Sequence, residues 1–242
     1  MSKKIALITG GNRGIGLETA SQLGQKGIHV ILGSRRREDG DAAATKLREA
    51  GMSAEAIKLD VTNANDIRNA AQAVEKAHGH LDILVNNAGI LDRSKAGHPS
   101  AETLETWRRT FDTNLFGLIA VTQAFLPLLK KSPAGRIVNL SSGLGSLTLH
   151  SDPHSHLYGS KIAAYNVSKT AVNAWTVELA WELRDTSIKV NAADPGHVKT
   201  DMGGPGARLE LAEGAQTVVD LALLDADGPT GAFIHRGNVQ PW

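Results

Sequence analysis

The segment KIALITGGNRGIGLETASQLGQKG, residues 4–27, carries the pattern from which the fold is most directly inferred. Residues 4–9 form a short apolar run, as in a buried strand, and glycines follow it at once. From Gly14 onward, apolar residues recur at helical spacing. A strand, a glycine-rich turn and a helix in this order predict a phosphate-binding loop, because glycines permit a tight turn and a helix N-terminus attracts an anion.

Strand-like and helix-like segments alternate along the rest of the chain. The strand-like segments are IHVILGS (residues 28–34), AEAIKLDV (54–61), LDILVNNAG (81–89), GRIVNLSS (135–142), SIKVNAAD (187–194) and GAFIHRG (231–237). Helical patterns separate them, over residues 14–27, 38–51, 66–79, about 102–131, 163–185 and about 212–224. This alternation implies βαβ units and a parallel sheet that helices cover on both faces.

The composition limits the classes of function. The chain has 242 residues, 41% of them hydrophobic, which suits one large α/β domain or two small ones. A net charge of +1 provides no basic field, so we expect no nucleic-acid partner. We expect no membrane partner either, since no run of about eighteen apolar residues occurs. The absence of cysteine excludes disulfides and thiolate nucleophiles, and it fits the cytoplasmic location that we expect.

Further motifs follow the glycine loop in order. They are LDV (residues 59–61), NNAG (86–89), DTNLFG (112–117), VNLSS (138–142), YNVSK (165–169) and DPGHVKT (194–200). The glycine loop itself, TGGNRGIG (9–16), has the spacing TGxxxGxG rather than GxGxxG. This ordered set resembles the short-chain dehydrogenase/reductase family over most of the chain. A single glycine motif would be weak evidence, whereas the ordered set is a strong signal.

The resemblance implies a fold and a cofactor site. The fold is α/β: a Rossmann-type, doubly wound, seven-stranded parallel sheet in a three-layer αβα single domain over residues 1–242. The N-terminal half would bind a nicotinamide dinucleotide, and loops 142–162 and 196–213 would bind the substrate. The implied cofactor-binding residues are Gly10, Asn12, Arg13, Gly14, Ile15, Gly16, Arg35, Asp60, Val61, Asn87, Ala88, Gly89, Tyr165, Lys169, Pro195, Gly196, Val198 and Thr200.

The segment after the second strand distinguishes NADP(H) from NAD(H). NAD-binding units usually place a carboxylate about twenty residues past the glycines, where it binds the ribose 2′-hydroxyl. Here LGSRRRED supplies Ser34 and Arg35 instead. Arg35, together with Arg13 in the glycine loop, can bind a 2′-phosphate, so we expect NADPH/NADP+ as the cofactor. We interpret Arg36 and Arg37 as a solvated charge run.

A tyrosine and a lysine in YNVSK are the candidate catalytic pair. Carbonyl reduction needs a hydride, which the cofactor supplies, and a proton donor beside the carbonyl oxygen. Tyr165 and Lys169 stand four residues apart in a helical pattern and therefore share one helix face. The resemblance implies that Tyr165 is the acid/base and that Lys169 lowers its pKa and binds the nicotinamide ribose. It also implies that Ser142 holds the carbonyl oxygen and that Asn114 anchors a water in a proton relay.

Two neighbouring residues compete for these roles. Tyr158 is also followed closely by a lysine, but Gly159 weakens a helix there, so we interpret Tyr158 as part of the pocket wall. Ser141 and Ser142 end a strand, where alternation places them on opposite faces. The functional serine of the family is the second of the pair, so we expect Ser141 to make only a hydrogen bond at the strand end.

The segment before the catalytic helix is rich in histidine. His150, Asp152, His154 and His156 could chelate a divalent metal, since imidazole and carboxylate groups suit zinc. Serine, proline and aspartate in such a segment also favour ordinary turns, and the reaction needs no metal. We therefore expect no metal site.

The same segment joins two expected catalytic groups, so it must border the active site. We expect substrate contacts from Ser142, Leu144 and Tyr158 on this side. Met202 is expected to contact the substrate from loop 196–213, since such loops often close over bound ligands.

The expected function is the reversible, NADPH-dependent reduction of a ketone or aldehyde to an alcohol. TDMGG (residues 200–204) and GPTG (228–231) resemble the carbonyl-reductase branch of the family. One alternative is an NAD(P)-dependent alcohol or 3-oxoacyl oxidoreductase. A more distant one is a non-catalytic dinucleotide sensor, which would be expected to lose the tyrosine or the lysine. The small-molecule carbonyl substrate stays unidentified, and the oligomeric state stays open between monomer, dimer and tetramer.

Overall fold

The computed structural model describes residues 3–242, so the first two residues of the expected domain lie outside it. All strands belong to one sheet. They are β1 (Ile5–Thr9), β2 (His29–Ser34), β3 (Ala54–Lys58), β4 (Ile83–Asn86), β5 (Arg136–Leu140), β6 (Lys189–Ala193), β7 (Phe233–His235) and β8 (Asn238–Val239). The α-helices are α1 (Gly14–Gln25), α2 (Arg37–Glu49), α3 (Ala64–His78), α4 (Leu104–Phe111), α5 (Gly117–Leu129), α6 (Leu147–Ser151), α7 (Ala163–Glu182) and α8 (Leu211–Ala222).

The sheet has the order β3-β2-β1-β4-β5-β6-β7-β8, and its first seven members are parallel. The predicted doubly wound sheet of seven parallel strands is therefore confirmed. The order reverses between β1 and β4, which is the switch point where such sheets bind ligands beyond the carboxyl ends of their strands.

The eighth strand was not expected from the sequence. β8 pairs antiparallel with β7, and only Arg236 and Gly237 connect the two. Both turn residues have positive φ, 48° and 79°, as a tight two-residue hairpin requires. A strand of two residues carries no hydrophobic period, which is why the sequence pattern did not reveal it.

The two faces of the sheet bury separate hydrophobic clusters. Along β1, Ala6 and Ile8 belong to the cluster under α1, α2 and α8, whereas Ile5 and Leu7 belong to the cluster under α3, α5 and α7. Successive side chains of a strand point to opposite faces, so a strand that is apolar throughout must be covered on both. The buried pattern of β1 thus explains the three-layer arrangement.

The helix expected over residues 102–131 is continuous from Leu104 to Leu129 but changes its type midway. Thr103 caps α4, and five residues of π-helix, Asp112–Phe116, separate α4 from α5. A π-turn is rare and is frequently found at functional sites. Here it holds Asn114, whose side chain is fully buried.

By length and composition, the continuous helical stretch Leu104–Leu129 could cross a membrane, and half of its apolar window is buried inside the protein. Val121 and Phe125 are fully buried against the sheet. This stretch therefore packs as a core element, which accounts for its apolar character.

The segment between β5 and α7 is more ordered than the expected loop. It contains a 3₁₀ turn, Gly143–Gly145, and the short helix α6. The chain end packs beneath it: the Thr148 amide donates to the Trp242 carbonyl at 2.9 Å, and the Trp242 ring stacks on Phe233 with 5.6 Å between centroids. Trp242 therefore anchors the tail, and the tail supports α6.

Gly145→Ala should lower the free energy of unfolding. A Cβ at this position would lie 2.8 Å from the Lys169 carbonyl carbon and 3.0 Å from its oxygen, so the 3₁₀ turn could no longer rest on α7. Overpacking of this kind costs about 1–3 kcal/mol, which urea denaturation would measure.

Gly159→Ala is the matched control in the same segment, because a Cβ there would meet nothing within 4 Å. Its free energy of unfolding should stay within about 0.5 kcal/mol of wild type. Equal losses in both variants would contradict the packing explanation.

Candidate active site

A cleft of about 2150 Å³ runs along the carboxyl edge of the parallel strands. Most of the residues expected from the sequence line it, namely Gly10, Asn12, Arg13, Gly14, Ile15, Arg35, Asp60, Val61, Asn87, Ala88, Gly89, Ser142, Leu144, Tyr165, Lys169, Pro195, Gly196, Val198, Thr200 and Met202. Three expected residues, Gly16, Asn114 and Tyr158, do not line the cleft. The structure thus brings together residues that are almost 200 positions apart in the sequence.

The glycine loop after β1 has the backbone that its sequence predicts. Gly10 and Gly14 have φ values of 61° and 55°, a region that residues with a side chain rarely adopt. Gly16 acts through packing: a Cβ there would lie 2.5 Å from both the Asn87 amide nitrogen and the Gly10 carbonyl oxygen. The loop leads directly into the N-terminus of α1, and this arrangement fits a dinucleotide pyrophosphate.

Thr9 fastens the glycine loop to the segment after β4. Its hydroxyl oxygen accepts hydrogen bonds from the backbone amides of Asn87 and Ala88, each at 3.0 Å. The Asn87 side chain donates in return to the Thr9 carbonyl at 2.8 Å. In the sequence, Thr9 stands out only as the first residue of the glycine motif. Its place at the end of an apolar run and before a glycine was the available sign of this structural role.

Arg35 differs from its two neighbours in the arginine run. Arg36 pairs with Asp39 at 3.0 Å and Arg37 with Asp41 at 2.9 Å, as exposed helix-surface pairs. Within residues 3–242, no carboxylate pairs with Arg35, which lies exposed on the cleft rim. The guanidinium of Arg35 is therefore the one in this run that can bind a cleft anion without first losing an ion pair.

Other residues expected to bind the cofactor fix the conformation of their loops through hydrogen bonds, an ion pair and close packing. The Asp60 carboxylate accepts from the Thr62 amide at 2.9 Å and from its hydroxyl at 2.7 Å, which fixes the turn after β3. Arg13 forms an exposed ion pair with Asp201 at 3.1 Å, so the glycine loop contacts loop 196–213 across the cleft. Thr200 lies at the same crossing, since its methyl group is 3.7 Å from where a Cβ on Gly14 would be.

The candidate catalytic pair is buried at the floor of the cleft on α7. Tyr165 is 8% exposed and Lys169 4% exposed. The Lys169 ammonium donates to the Leu140 carbonyl at 2.6 Å and lies 5.7 Å from the centre of the Tyr165 ring. The predicted i, i+4 relation is confirmed, because both residues lie within one helix and reach the same cleft.

Burial controls the ionisation of both groups. It raises the pKa of Tyr165 to about 12, with smaller effects from Ser142, Asp194 and Arg93. It lowers the pKa of Lys169 to about 8. Burial has the largest effect on the pKa of Tyr165, and the expectation that Lys169 lowers this pKa stays a prediction. Tyr165 is therefore protonated at neutral pH, as a proton donor must be.

The side chains of Ser141 and Ser142 point to opposite faces, as strand alternation predicts. Ser142 lines the cleft beside Tyr165 and caps the 3₁₀ turn, where its hydroxyl accepts from the Leu144 amide at 3.2 Å. Ser141 faces α7 instead and donates to the Asn173 side chain at 2.5 Å. The structural role expected for Ser141 and the cleft position expected for Ser142 are thus both observed.

Asn114 positions the site without lining it. Its amide oxygen accepts from the Ile90 backbone amide at 2.8 Å, and its amide nitrogen donates to the Ile90 carbonyl and the Ser168 hydroxyl, each at 3.0 Å. These bonds connect the loop after β4 to α7. The amide oxygen accepts one hydrogen bond and keeps a second acceptor position, and the water-anchoring role expected for Asn114 stays a prediction.

The substrate side of the cleft is only partly as expected. Leu144 and Met202 line it, but Tyr158 does not, and its ring is instead half-exposed with the Lys161 ammonium 4.8 Å from its centre. Gly159 and the turns around it direct Tyr158 outward. The wall residues from this segment that the sequence did not indicate are Leu149, His156, Leu157 and Ser160.

Three further residues at the cleft had no role assigned from the sequence. Asp194 is buried and accepts from the Gly196 amide at 2.9 Å, and the His235 ring lies against its carbonyl oxygen, also at 2.9 Å. Arg93, from the loop after β4, donates to the Met202 carbonyl at 2.6 Å and so bridges the two cleft walls. The DPG motif was a visible sign for Asp194, whereas nothing in the sequence connected Arg93 to Met202.

Comparisons with known proteins agree with this geometry. The short chain dehydrogenase family model matches residues 4–208. Mouse carbonyl reductase [NADPH] 1 is 35% identical, with 100% of this chain and 99% of the mouse protein covered. A (+)-neomenthol dehydrogenase from Capsicum annuum is 31% identical, with 98% and 97% covered. A solved structure of NADPH-bound carbonyl reductase from chicken fatty liver superposes with a TM-score of 0.86 at 28% identity, and both chains are covered completely.

The burial of Lys169 predicts a pH-dependent difference between the wild type and Lys169→Met. Between the folded pKa of about 8 and the ordinary pKa of 10.5 for an unburied lysine, the unfolded chain binds more protons than the folded one. The free energy of unfolding of the wild type should therefore rise relative to Lys169→Met as the pH increases from about 8 to about 10, by about 1–3 kcal/mol in all.

Urea denaturation of both proteins at several pH values would measure this difference, in which the titration of other groups cancels. Lys130→Met is the control, because Lys130 is exposed and should show no such dependence. A difference that stays flat or falls with pH would mean that Lys169 is not desolvated as described.

Proposed function

Because the chain belongs to the short-chain dehydrogenase/reductase family of oxidoreductases, we propose that it reduces a ketone or aldehyde to an alcohol with NADPH as its cofactor. The observation that carries the proposal is the convergence of Tyr165, Ser142 and Lys169 at the floor of one cleft. Members of this family use nicotinamide dinucleotides, and bound NADPH would supply the hydride.

Tyr165 supplies the proton in this proposal. Its pKa of about 12 keeps the hydroxyl protonated at neutral pH, so it can donate to a carbonyl oxygen that becomes an alkoxide during reduction. The Ser142 hydroxyl, beside it in the cleft, donates a second hydrogen bond to the same oxygen. Two donors fixed by a helix and a strand end stabilise the developing negative charge without reorganisation.

Lys169 and Asn114 position these groups. The Lys169 ammonium has three donors, one of which is bonded to Leu140, and the others are available to hydroxyl groups of the nicotinamide ribose. Asn114 keeps α7 at a fixed distance from the loop after β4 through its bonds to Ser168 and Ile90. A shift in this connection would change the distance between Tyr165 and the substrate carbonyl, to which proton transfer is sensitive.

The preference for NADPH over NADH rests on Arg35. Its unpaired guanidinium at the cleft rim and the exposed Arg13 can bind a 2′-phosphate, and β2 ends in Ser34 rather than in a carboxylate. The mouse relative carries NADPH in its name, and the chicken enzyme was solved with NADPH bound. The cytoplasmic location stays a prediction from the sequence.

Arg35→Ala should lower kcat/KM for NADPH at least about tenfold and leave kcat/KM for NADH nearly unchanged, because a charge-assisted bidentate contact is worth roughly 1.5–3 kcal/mol. Steady-state kinetics with each cofactor would measure both values. Arg37→Ala is the matched control: it removes a neighbouring arginine that pairs with Asp41 and does not line the cleft. A wild-type enzyme with the higher kcat/KM for NADH would refute the preference.

Tyr165→Phe should abolish turnover, with a loss of at least about a hundredfold in kcat, and leave NADPH binding intact, since only the acidic hydroxyl is removed. Tyr158→Phe removes the same hydroxyl from the outward-facing tyrosine and should keep near wild-type kcat. The reverse result would transfer the catalytic role to Tyr158.

The reaction itself is tested by following NADPH consumption over aliphatic, aromatic and 1,2-dicarbonyl compounds, with chiral analysis of the alcohols formed. Turnover of one of these classes, absent in Tyr165→Phe, supports the proposal. Tight NADPH binding without turnover of any carbonyl would instead favour the dinucleotide sensor.

A further inference from the structure

Two histidines and a glutamate meet at the amino edge of the sheet, opposite the cleft. His29 is the first residue of β2, Glu55 lies in β3, and His78 is the last residue of α3. One Glu55 carboxylate oxygen lies 3.2 Å from His29 Nε2 and 2.7 Å from His78 Nε2. The three donor atoms all lie within 4.8 Å of one another, so three separate elements of the fold direct ligand atoms at one point.

The environment of these three side chains is similar to that of a preorganised metal site, because the histidines are largely buried and one of them has a second hydrogen-bond partner. The side chains of His29 and His78 are only 17% and 19% exposed, whereas Glu55 is 45% exposed and leaves one side open to solvent. The Ser53 hydroxyl lies 2.8 Å from His29 Nδ1. A metal-binding histidine commonly donates its second ring N–H to such a partner, which fixes the ring and directs the other nitrogen at the metal.

We propose that His29, Glu55 and His78 bind a divalent transition-metal ion of the zinc type. The ligands are His29 Nε2, His78 Nε2 and a Glu55 carboxylate oxygen, with solvent as the fourth ligand. Nitrogen and oxygen ligands at 2.0–2.1 Å in tetrahedral geometry stand about 3.3 Å from one another. The two distances from Glu55 to the histidines, 3.2 and 2.7 Å, lie slightly below that value, so small side-chain rotations that move the ligand atoms apart would admit the metal. Two imidazoles favour Zn²⁺ or Cu²⁺ over Mg²⁺ and Ca²⁺, which prefer all-oxygen sites.

The charges of the cluster agree with a cation site. Glu55 supplies the one carboxylate of the three residues, and one of its oxygens contacts the Nε2 atoms of both histidines. Asp82, another carboxylate at the amino edge of the sheet, is engaged elsewhere: it accepts from the Ile5 amide at 2.8 Å and from the Ser132 hydroxyl at 2.6 Å. Metal binding requires each Nε2 to be free of its proton, and the site then offers one carboxylate and two imidazole nitrogens, as in known His₂Glu zinc sites.

The position of the cluster points to a stabilising role. β3 is the edge strand of the sheet and pairs only with β2. A metal here would connect β2, β3 and the end of α3, while the cleft lies at the opposite ends of the strands. Metal binding should therefore raise the resistance to unfolding and leave the catalytic groups in place.

The test uses the full chain without an affinity tag, freed of metal by a chelator and titrated with Zn²⁺ by calorimetry. We expect one Zn²⁺ per chain and a thermal midpoint several degrees higher when Zn²⁺ is about a hundredfold above its dissociation constant. Co²⁺ in place of Zn²⁺ should give the visible absorption of a tetrahedral site. Both signals should disappear in His78→Ala and in Glu55→Gln, the latter being the isosteric change that keeps the fold.

Two further variants make the result specific. Ser53→Ala should weaken Zn²⁺ binding about tenfold or more while retaining its stoichiometry, because it removes only the partner of His29 Nδ1. His154→Ala, an exposed histidine of the segment before α7, should bind like the wild type. Zinc binding that survives in His78→Ala and Glu55→Gln but is lost in His154→Ala would overturn the assignment, and so would an absence of stoichiometric Zn²⁺ binding to the wild type.

Discussion

The hydrogen bond from the Lys169 ammonium to the Leu140 carbonyl is the contact on which the site depends. It joins α7, which carries the tyrosine, to the end of β5, which carries the serine. A charged amine at 4% exposure is costly, and its lowered pKa is the expression of that cost. Gly145 packs so closely against the Lys169 backbone that a side chain at position 145 would collide with it. The site thus keeps a buried lysine although its burial lowers the stability of the folded protein.

The fold was largely readable from the sequence, because buried parallel strands and amphipathic helices have distinct periods. The glycine loop and the Tyr165/Lys169 spacing were readable for a similar reason, since each is local in the chain. Features that depend on tertiary packing were not. The direction of the Tyr165 pKa follows from burial, and burial cannot be derived from a four-residue spacing. The outward direction of Tyr158 and the π-turn at Asn114 likewise depend on how neighbouring segments pack.

The sheet separates two kinds of chemistry by the direction of its strands. Parallel strands collect their carboxyl ends at one edge, where the loops that follow them form the cleft. The amino ends collect at the other edge, where His29 and Glu55 enter β2 and β3 beside the end of α3. The strands form a rigid connection between the two edges. A substitution at one edge can nevertheless be made without changing the residues at the other. This is consistent with loops of variable sequence on a scaffold whose core residues are fixed by packing.

The Trp242 ring stacked on Phe233 and the Trp242 carbonyl bonded to Thr148 have a practical meaning for anyone who handles the protein. Trp242 is part of the support for α6, which forms one side of the cleft. A fluorescent label or a surface linker attached to Trp242 would therefore pull on the pocket wall itself. The exposed lysines before β1, at the far edge of the sheet, offer an attachment point from which such a load would not reach the reacting groups.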